Sequence, residues 1–254
     1  MEASYQHLID LNDYPVSWWN QIVALGADIK EHPQRYTHAC VGQVMATLFY
    51  EPSTRTQMSF QAAMIRLGGS IIGFDNPATS SVSKGESLAG AAKAAALTTD
   101  CPVINAGDGG HLHPTQTLTD LLTLRVEKGR LDGLTVGLCG DLLNGRTVHS
   151  LCKALSCYKN NHFVLISTPE LRLPFYVKDI IKANGGTFTE VSSLDQVIGS
   201  LDVLYMTRIQ QERFTSEEAY LAQKDTYVLD AKKMSRARPD MIVLHPLPRV
   251  DEIT

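Results

Sequence analysis

The stretch FYEPSTRTQMSF, residues 49–60, sets Ser53, Thr54, Arg55 and Thr56 between an apolar run and a helical pattern. Three hydroxyls and a guanidinium at a strand-to-helix turn concentrate donors at one spot, where first-turn N–H groups and the helix dipole also favour negative charge. The chemistry this suits is phosphate binding. The spacing is not G-x-x-x-x-G-K-[ST], and no paired acidic residues offer themselves for magnesium, so a small anion held without metal or cofactor is expected. The competing account makes Ser53 an ordinary N-cap and Arg55 a surface charge.

Other clusters fall at equivalent places, in loops that follow apolar runs, where open α/β sheets bind ligands. In GDGGHLHPTQ, His113 and Gln116 stand at a helix start; His111 and His113 as a metal pair would need a third ligand that the neighbouring sequence lacks. GDLLNGRTVHS places Arg146 directly after Gly145, and its glycines do not match G-x-G-x-x-G. YMTRIQQER places Arg208 and Gln210 just past another apolar run. Either arginine alone reads as a solvated side chain. Two at strand ends suit a dicarboxylate, because the guanidinium fork matches a carboxylate with two parallel hydrogen bonds. The polar loop TSSVSKGES, with Ser80 and Lys84, reads by itself as a solvated turn.

These residues need a frame, and the chain supplies an α/β alternation. A helix is expected around SWWNQIVALGADIKEH, then a short buried strand in VMATLFYE, a helix in TRTQMSFQAAMIR capped by Ser53 or Thr54 and stopped by Gly68–Gly69, and a strand in SIIGF. CPVINAGDGG reads as a strand ending in glycines, and HPTQTLTDLLTLRVEKG as a helix ended by Gly129. The second half repeats the pattern through LTVGLCGD, GRTVHSLCKALSCY, HFVLIST, PFYVKDIIKANGG, TFTEV, LDQVIGS and DVLYMT. The fold class is therefore α/β with two domains, each a parallel β-sheet flanked by helices, residues 1–130 for the phosphate and 131–254 for the dicarboxylate. Lys plus Arg number 23 against 27 Asp plus Glu, a net charge of −4 without a basic run, which speaks against nucleic acid. Five cysteines, odd in number and without CxxC spacing, suggest neither disulfides nor zinc and fit the reducing cytoplasm. No leader pattern or long apolar run is present, so no membrane partner is expected.

Taken together and in order, FYEPSTRT, HPTQTLTDL, GDLLNGRTVHSL, YMTRIQQER and HPLPRVDEI resemble the aspartate carbamoyltransferase family, catalytic chains, through almost the whole sequence. The related ornithine carbamoyltransferases share the first motif but usually carry cysteine where Thr115 and Pro246 stand. The resemblance implies the carbamoyltransferase fold and the reaction of carbamoyl phosphate with L-aspartate in pyrimidine synthesis. Residues similar to Ser53, Thr54, Arg55 and Thr56 hold the phosphate in the family, and His113 and Gln116 match positions at the carbamoyl group, with Thr56 and His113 polarising its carbonyl beside Arg55. Arg146, Arg208 and Gln210 match the aspartate contacts, and Leu247 the loop that closes over both substrates. A homotrimer with shared sites is implied, in which Ser80 and Lys84 reach the neighbour's phosphate; a regulatory chain is compatible with the resemblance and not required by it.

Two departures stand against that pattern. Ala89 runs straight into Gly90 where the family carries the rest of a helix, a strand and a loop whose Arg-His-Pro arginine touches both substrates, and the sequence stops at Thr254 where the family continues into helices. On these grounds the sequence also admits a non-catalytic fragment or assembly partner, or a carbamoyltransferase for another amino acid such as ornithine.

Overall fold

The computed structural model describes residues 7–50, 53–74, 101–108, 112–210, 214, 216–221, 223 and 226–254. By their contacts these fall into two compact units, Met1–Gly109 and Gly110–Thr254.

The first unit contains α1 (Val16–Glu31), β1 (Val44–Leu48), α2 (Thr54–Arg66) and β2 (Ser70–Phe74). Trp19 and Val23 anchor the buried stripe of α1, and the Trp19 indole donates to Leu11 O at 2.9 Å. Ser53 is the N-cap residue of α2, and the helix stops at Gly68, whose φ of +86° a side chain would strain. β1 and β2 pair in parallel, Val44 opposite Ser70 through Leu48 opposite Phe74.

Two expectations fail in this unit. β1 is not buried: Val44 is 60% and Leu48 40% exposed, with Thr47 its one buried residue. The described residues 101–108 of the run CPVINAGDGG form no strand; Ile104 makes an isolated bridge to Leu8, through Leu8 N to Val103 O and Asn105 N to Leu8 O, both 2.8 Å. An apolar run becomes a buried strand only when neighbours pair its edges and cover both faces. Among the described residues β1 has one strand beside it, and residues 103–105 have a single bridge.

The second unit contains α3 (Pro114–Lys128), β3 (Thr135–Cys139), α4 (Arg146–Ser156), β4 (His162–Ile166), α5 (Phe175–Ala183), β5 (Thr187–Val191), β6 (Val203–Met206), α6 (Glu217–Leu221), α7 (Ala231–Met234) and β7 (Ile242–Leu244). Its strands run in the order β5-β4-β3-β6-β7, all parallel. Helices α3, α4 and α5 bury apolar residues, and every residue of β6 is buried. LDQVIGS is two short 3₁₀ turns, Leu194–Gln196 and Ile198–Ser200, rather than a helix. The apolar run at Ile242–Leu244 adds β7, an element the sequence reading did not name.

Helix α3, ended by Gly129 at φ +70°, lies within the second unit, although a boundary near residue 130 would place it in the first. Its C-terminus is tied there by Lys128, whose Nζ donates to Asp240 O at 2.7 Å and lies 4.0 Å from Asp202. Among the described residues no helix is long and apolar enough to cross a membrane.

Candidate active site

In the second unit the order of the strands reverses at β3: β4 follows on one side, and β6 on the other. Parallel sheets open a crevice at the carboxyl ends of the strands flanking such a switch point. Arg146 and Arg208 both sit there. Cys139 is paired with Met206, so the chain leaves β3 into the loop that carries Arg146 beside the point where it leaves β6 into Thr207, Arg208 and Gln210.

That loop is held by buried polar groups. Asp141 is fully buried; its backbone N–H donates to Thr207 Oγ1 at 3.1 Å, and its carboxylate accepts from Asn144 N at 2.9 Å. Glycine is required twice. At Gly140, with φ +118°, an added Cβ would lie 2.3 Å from Thr207 O, and at Gly145 it would lie 2.6 Å from Asp141 O. His149, one turn into α4, is held neutral by burial; Nε2 donates to Leu142 O at 2.8 Å while Nδ1 accepts from the Tyr176 hydroxyl at 3.0 Å. Arg146 therefore projects from a turn whose backbone is fixed on both sides, which limits the entropy lost when its guanidinium takes a partner.

The loop after β7 is braced in a similar way. His245 Nδ1 accepts from Leu247 N at 2.8 Å, and its Nε2 lies 2.7 Å from Glu252 Oε1, both side chains nearly buried. Burial lowers the pKa of His245 in spite of that carboxylate. Leu247, at φ +60°, is 53% exposed at the tip. Since Tyr205 pairs with Leu244, this loop leaves the sheet next to the segment carrying Arg208 and Gln210.

His113 caps α3. Its Nδ1 accepts from Gln116 N at 3.4 Å, which in a neutral imidazole leaves the ring proton on Nε2, the donor a substrate carbonyl would need. Gln116 Nε2 donates to Asp120 Oδ1 at 2.9 Å, and Asp120 Oδ2 accepts from the Tyr205 hydroxyl at 3.1 Å. This chain of bonds ties the first turn of α3 to β6, three residues before Arg208. The second unit thus brings His113, Gln116, Arg146, Arg208, Gln210 and Leu247 onto elements that end together around one sheet edge.

The first unit carries Ser53, Thr54, Arg55 and Thr56 on the cap and first turn of α2. The Ser53 hydroxyl makes no capping bond, and Thr54 and Arg55 are exposed. Such a turn offers N–H groups without intrahelical acceptors, three hydroxyls and one guanidinium. Ser80, Lys84 and His111 lie outside the described residues. Among the described residues no group of three or more His, Cys, Asp or Glu is arranged to hold a metal ion.

The bracing residues Asp120, Asp141, His149, Tyr205, Thr207 and Glu252 were not singled out from sequence. All six lie inside the quoted motifs, but a buried carboxylate or phenol has no sequence signal until its partners are known.

Comparison with known proteins also finds two domains, divided after α3 rather than before it. The profile of the aspartate/ornithine carbamoyltransferase carbamoyl-P binding domain matches residues 6–101 and 89–126, and that of the Asp/Orn binding domain matches residues 132–254. The chain is 53% identical to the aspartate carbamoyltransferase catalytic subunits of Clostridium perfringens and Clostridium novyi, with 98% of this chain and 88% of theirs covered. Those alignments run over 269 residues, more than the 254 of this chain, so the relatives carry residues that it lacks. The two pieces of the first match overlap at 89–101, where the interruption after Ala89 was expected. Among solved structures, the catalytic subunit of M. jannaschii aspartate transcarbamoylase superposes with a TM-score of 0.89 at 41% identity, covering 98% of this chain and 88% of that one. Aspartate transcarbamoylase from Trypanosoma cruzi in complex with N-(phosphonacetyl)-L-aspartic acid superposes with a TM-score of 0.87 at 34% identity, covering 99% and 87%. Two parallel-sheet units, the ordered motifs and these likenesses agree: the chain belongs to the aspartate/ornithine carbamoyltransferase family, among the catalytic subunits of aspartate carbamoyltransferase.

Proposed function

We propose that the chain transfers the carbamoyl group of carbamoyl phosphate to the amino group of L-aspartate, giving N-carbamoyl-L-aspartate and phosphate. The observation that carries this reading is the placement of Arg146 and Arg208 at the ends of the adjacent strands β3 and β6, on a braced frame at the switch point. Two guanidinium forks suit the two carboxylates of aspartate, whereas the cationic side chain of ornithine would be repelled. Gln210 adds a polar contact, and Leu247 closes the aspartate side from its braced loop.

The phosphate is held by Ser53, Thr54, Arg55 and Thr56 at the start of α2. Thr56 and the Nε2 proton of His113 polarise the carbamoyl carbonyl, with Arg55 beside them, and Gln116 contacts the same group. The aspartate amine attacks the carbonyl carbon, the oxygen gathers charge in a tetrahedral intermediate, the nitrogen sheds a proton, and the bond to phosphate breaks. No protein nucleophile enters this sequence of steps. The residues contribute positioning, worth roughly 7–11 kcal/mol when fully realised, and donors to the oxyanion, each worth about 2.7–4 kcal/mol.

The reading extends to a cytoplasmic homotrimer of pyrimidine synthesis in which Ser80 and Lys84 complete the phosphate site of the neighbouring subunit, with residues 1–130 serving carbamoyl phosphate and 131–254 serving aspartate. Subunit exchange between Lys84→Ala and Arg55→Ala chains tests the sharing, because a closed ring can pair the intact halves across an interface. Partial recovery of activity supports it; none after verified exchange argues against it. The activity itself is tested by following carbamoyl aspartate formation with ornithine as the rival acceptor. Carbamoylation of ornithine as readily as aspartate would overturn the assignment.

A further inference from the structure

The chain of bonds Gln116–Asp120–Tyr205 lies inside the second unit, with Asp120 and Tyr205 standing behind Gln116. Asp120 is 5% exposed on α3 and Tyr205 is fully buried on β6, yet both polar ends are satisfied, by Gln116 Nε2 and by each other. A carboxylate only accepts hydrogen bonds, so the group facing Asp120 has to be the NH₂ end of the Gln116 amide. That choice fixes the polarity of the planar amide and leaves its Oε1 as the end that meets a ligand.

We propose that Asp120, held by Tyr205, is a positioning residue that sets the polarity of the Gln116 amide so that Oε1 accepts from the NH₂ of a carbamoyl group, making this pair a determinant of selectivity for carbamoyl over acyl phosphates. It rests on the assignment of Gln116 to carbamoyl phosphate. Carbamoyl and acetyl phosphate differ by NH₂ against CH₃. His113 can donate to the carbonyl of either, while only the first offers a hydrogen to Gln116 Oε1. A site built to hydrogen-bond a substrate N–H rejects the analogue lacking it, because its own buried acceptor is then left unpaired. Burial pushes the Asp120 carboxyl up to about 7, against the hydrogen bonds from Gln116 and Tyr205 that favour its ionised form. The carboxylate is thus available to accept both bonds at and above neutral pH.

The test compares binding of carbamoyl phosphate and of acetyl phosphate to the full chain by calorimetry, together with KM and kcat for carbamoyl aspartate formation. Asp120→Asn can present an NH₂ to Gln116 and reverse its amide. It should weaken carbamoyl phosphate about tenfold or more while acetyl phosphate changes little, and should leave KM for aspartate nearly unchanged. Tyr205→Phe removes only the hydroxyl and should act in the same direction more weakly, which keeps the test open if the first variant folds poorly. On a Gln116→Ala background Asp120→Asn should add nothing. Equal weakening of both phosphates, or additive effects of the two substitutions, would overturn the proposal. If Gln116→Ala alone leaves carbamoyl phosphate binding intact, the assignment beneath it falls instead.

Discussion

The two units carry comparable shares of the proposed ligand residues on very different frames. In the second, Val136, Leu138 and Cys139 of β3 are fully buried within a five-stranded parallel sheet. In the first, the described sheet has two strands, and Val44, Met58, Ile65 and Ile72 are each about 60% exposed (60%, 62%, 58% and 63%). Parallel strands are stable when both faces are covered, and a two-stranded pair is marginal by itself. The interruption relative to the relatives falls in the first unit, at residues 89–101. One family pattern thus holds its aspartate half on a closed core while its phosphate half has apolar side chains facing outward. Short motifs survive the loss of a neighbouring segment more readily than the packing that makes them a site.

The contrast can be broken most directly by inserting, between Ala89 and Gly90, the residues that the relatives carry. If the first unit lacks its frame and an arginine that meets both substrates, carbamoyl aspartate formation should rise roughly a hundred- to a thousandfold, with a sharper melting transition. Equal activity with and without the insertion would show that the exposed frame suffices. A packing test comes next. Leu138→Ala in β3 should cost about 2–5 kcal/mol in chemical denaturation, whereas Ile72→Ala in β2 should stay within about 0.5 kcal/mol. Similar losses at the two positions would erase the distinction between the sheets.

Arg208→Ala probes the braced half alone. Losing one charge-assisted contact, about 1.5–3 kcal/mol, should raise KM for aspartate some tenfold or more and leave carbamoyl phosphate binding within about twofold. A matched loss for both substrates would mean that the halves are not separable. The smallest effect is a pH slope. Asp120 has its folded pKa raised to about 7 above an ordinary carboxylate, so the folded state keeps a proton that the unfolded chain releases. Stability from this group is present at low pH and falls as pH rises from roughly 4 to 7, by at most about 1.4 kcal/mol per pH unit. The groups bonded to it are Gln116 on α3 and Tyr205 on β6, and burial holds Tyr205 in its neutral form. Asp120→Asn should remove this slope, which urea titrations across that range would detect. An unchanged slope would show that the carboxylate is not titrating in the folded core.

What the sequence determined by itself is local. Ser53 as the cap of α2, Gly68 and Gly129 as helix stops, and the strands at Thr135–Cys139, His162–Ile166 and Thr187–Val191 follow from propensity, chirality and hydrophobic spacing within a dozen residues. The proposed ligand residues could be singled out for the same reason, since hydroxyls, arginines and a histidine gathered at strand-to-helix turns point to anion chemistry without reference to distant partners. Tertiary structure alone decided which apolar runs became buried strands. VMATLFYE and CPVINAGDGG read like LTVGLCGD, yet among the described residues only the last has paired strands on both edges. It also decided which polar residues stand behind the ligand groups. The Asp141 N–H donates to Thr207 Oγ1 across 66 positions of sequence and the Asp120 carboxylate accepts from the Tyr205 hydroxyl across 85, and a buried polar group is tolerated only where a partner such as these, 3.1 Å away, offsets its desolvation. Spacing along the chain carries no record of such a partner, because the sheet that brings the two together must first be closed.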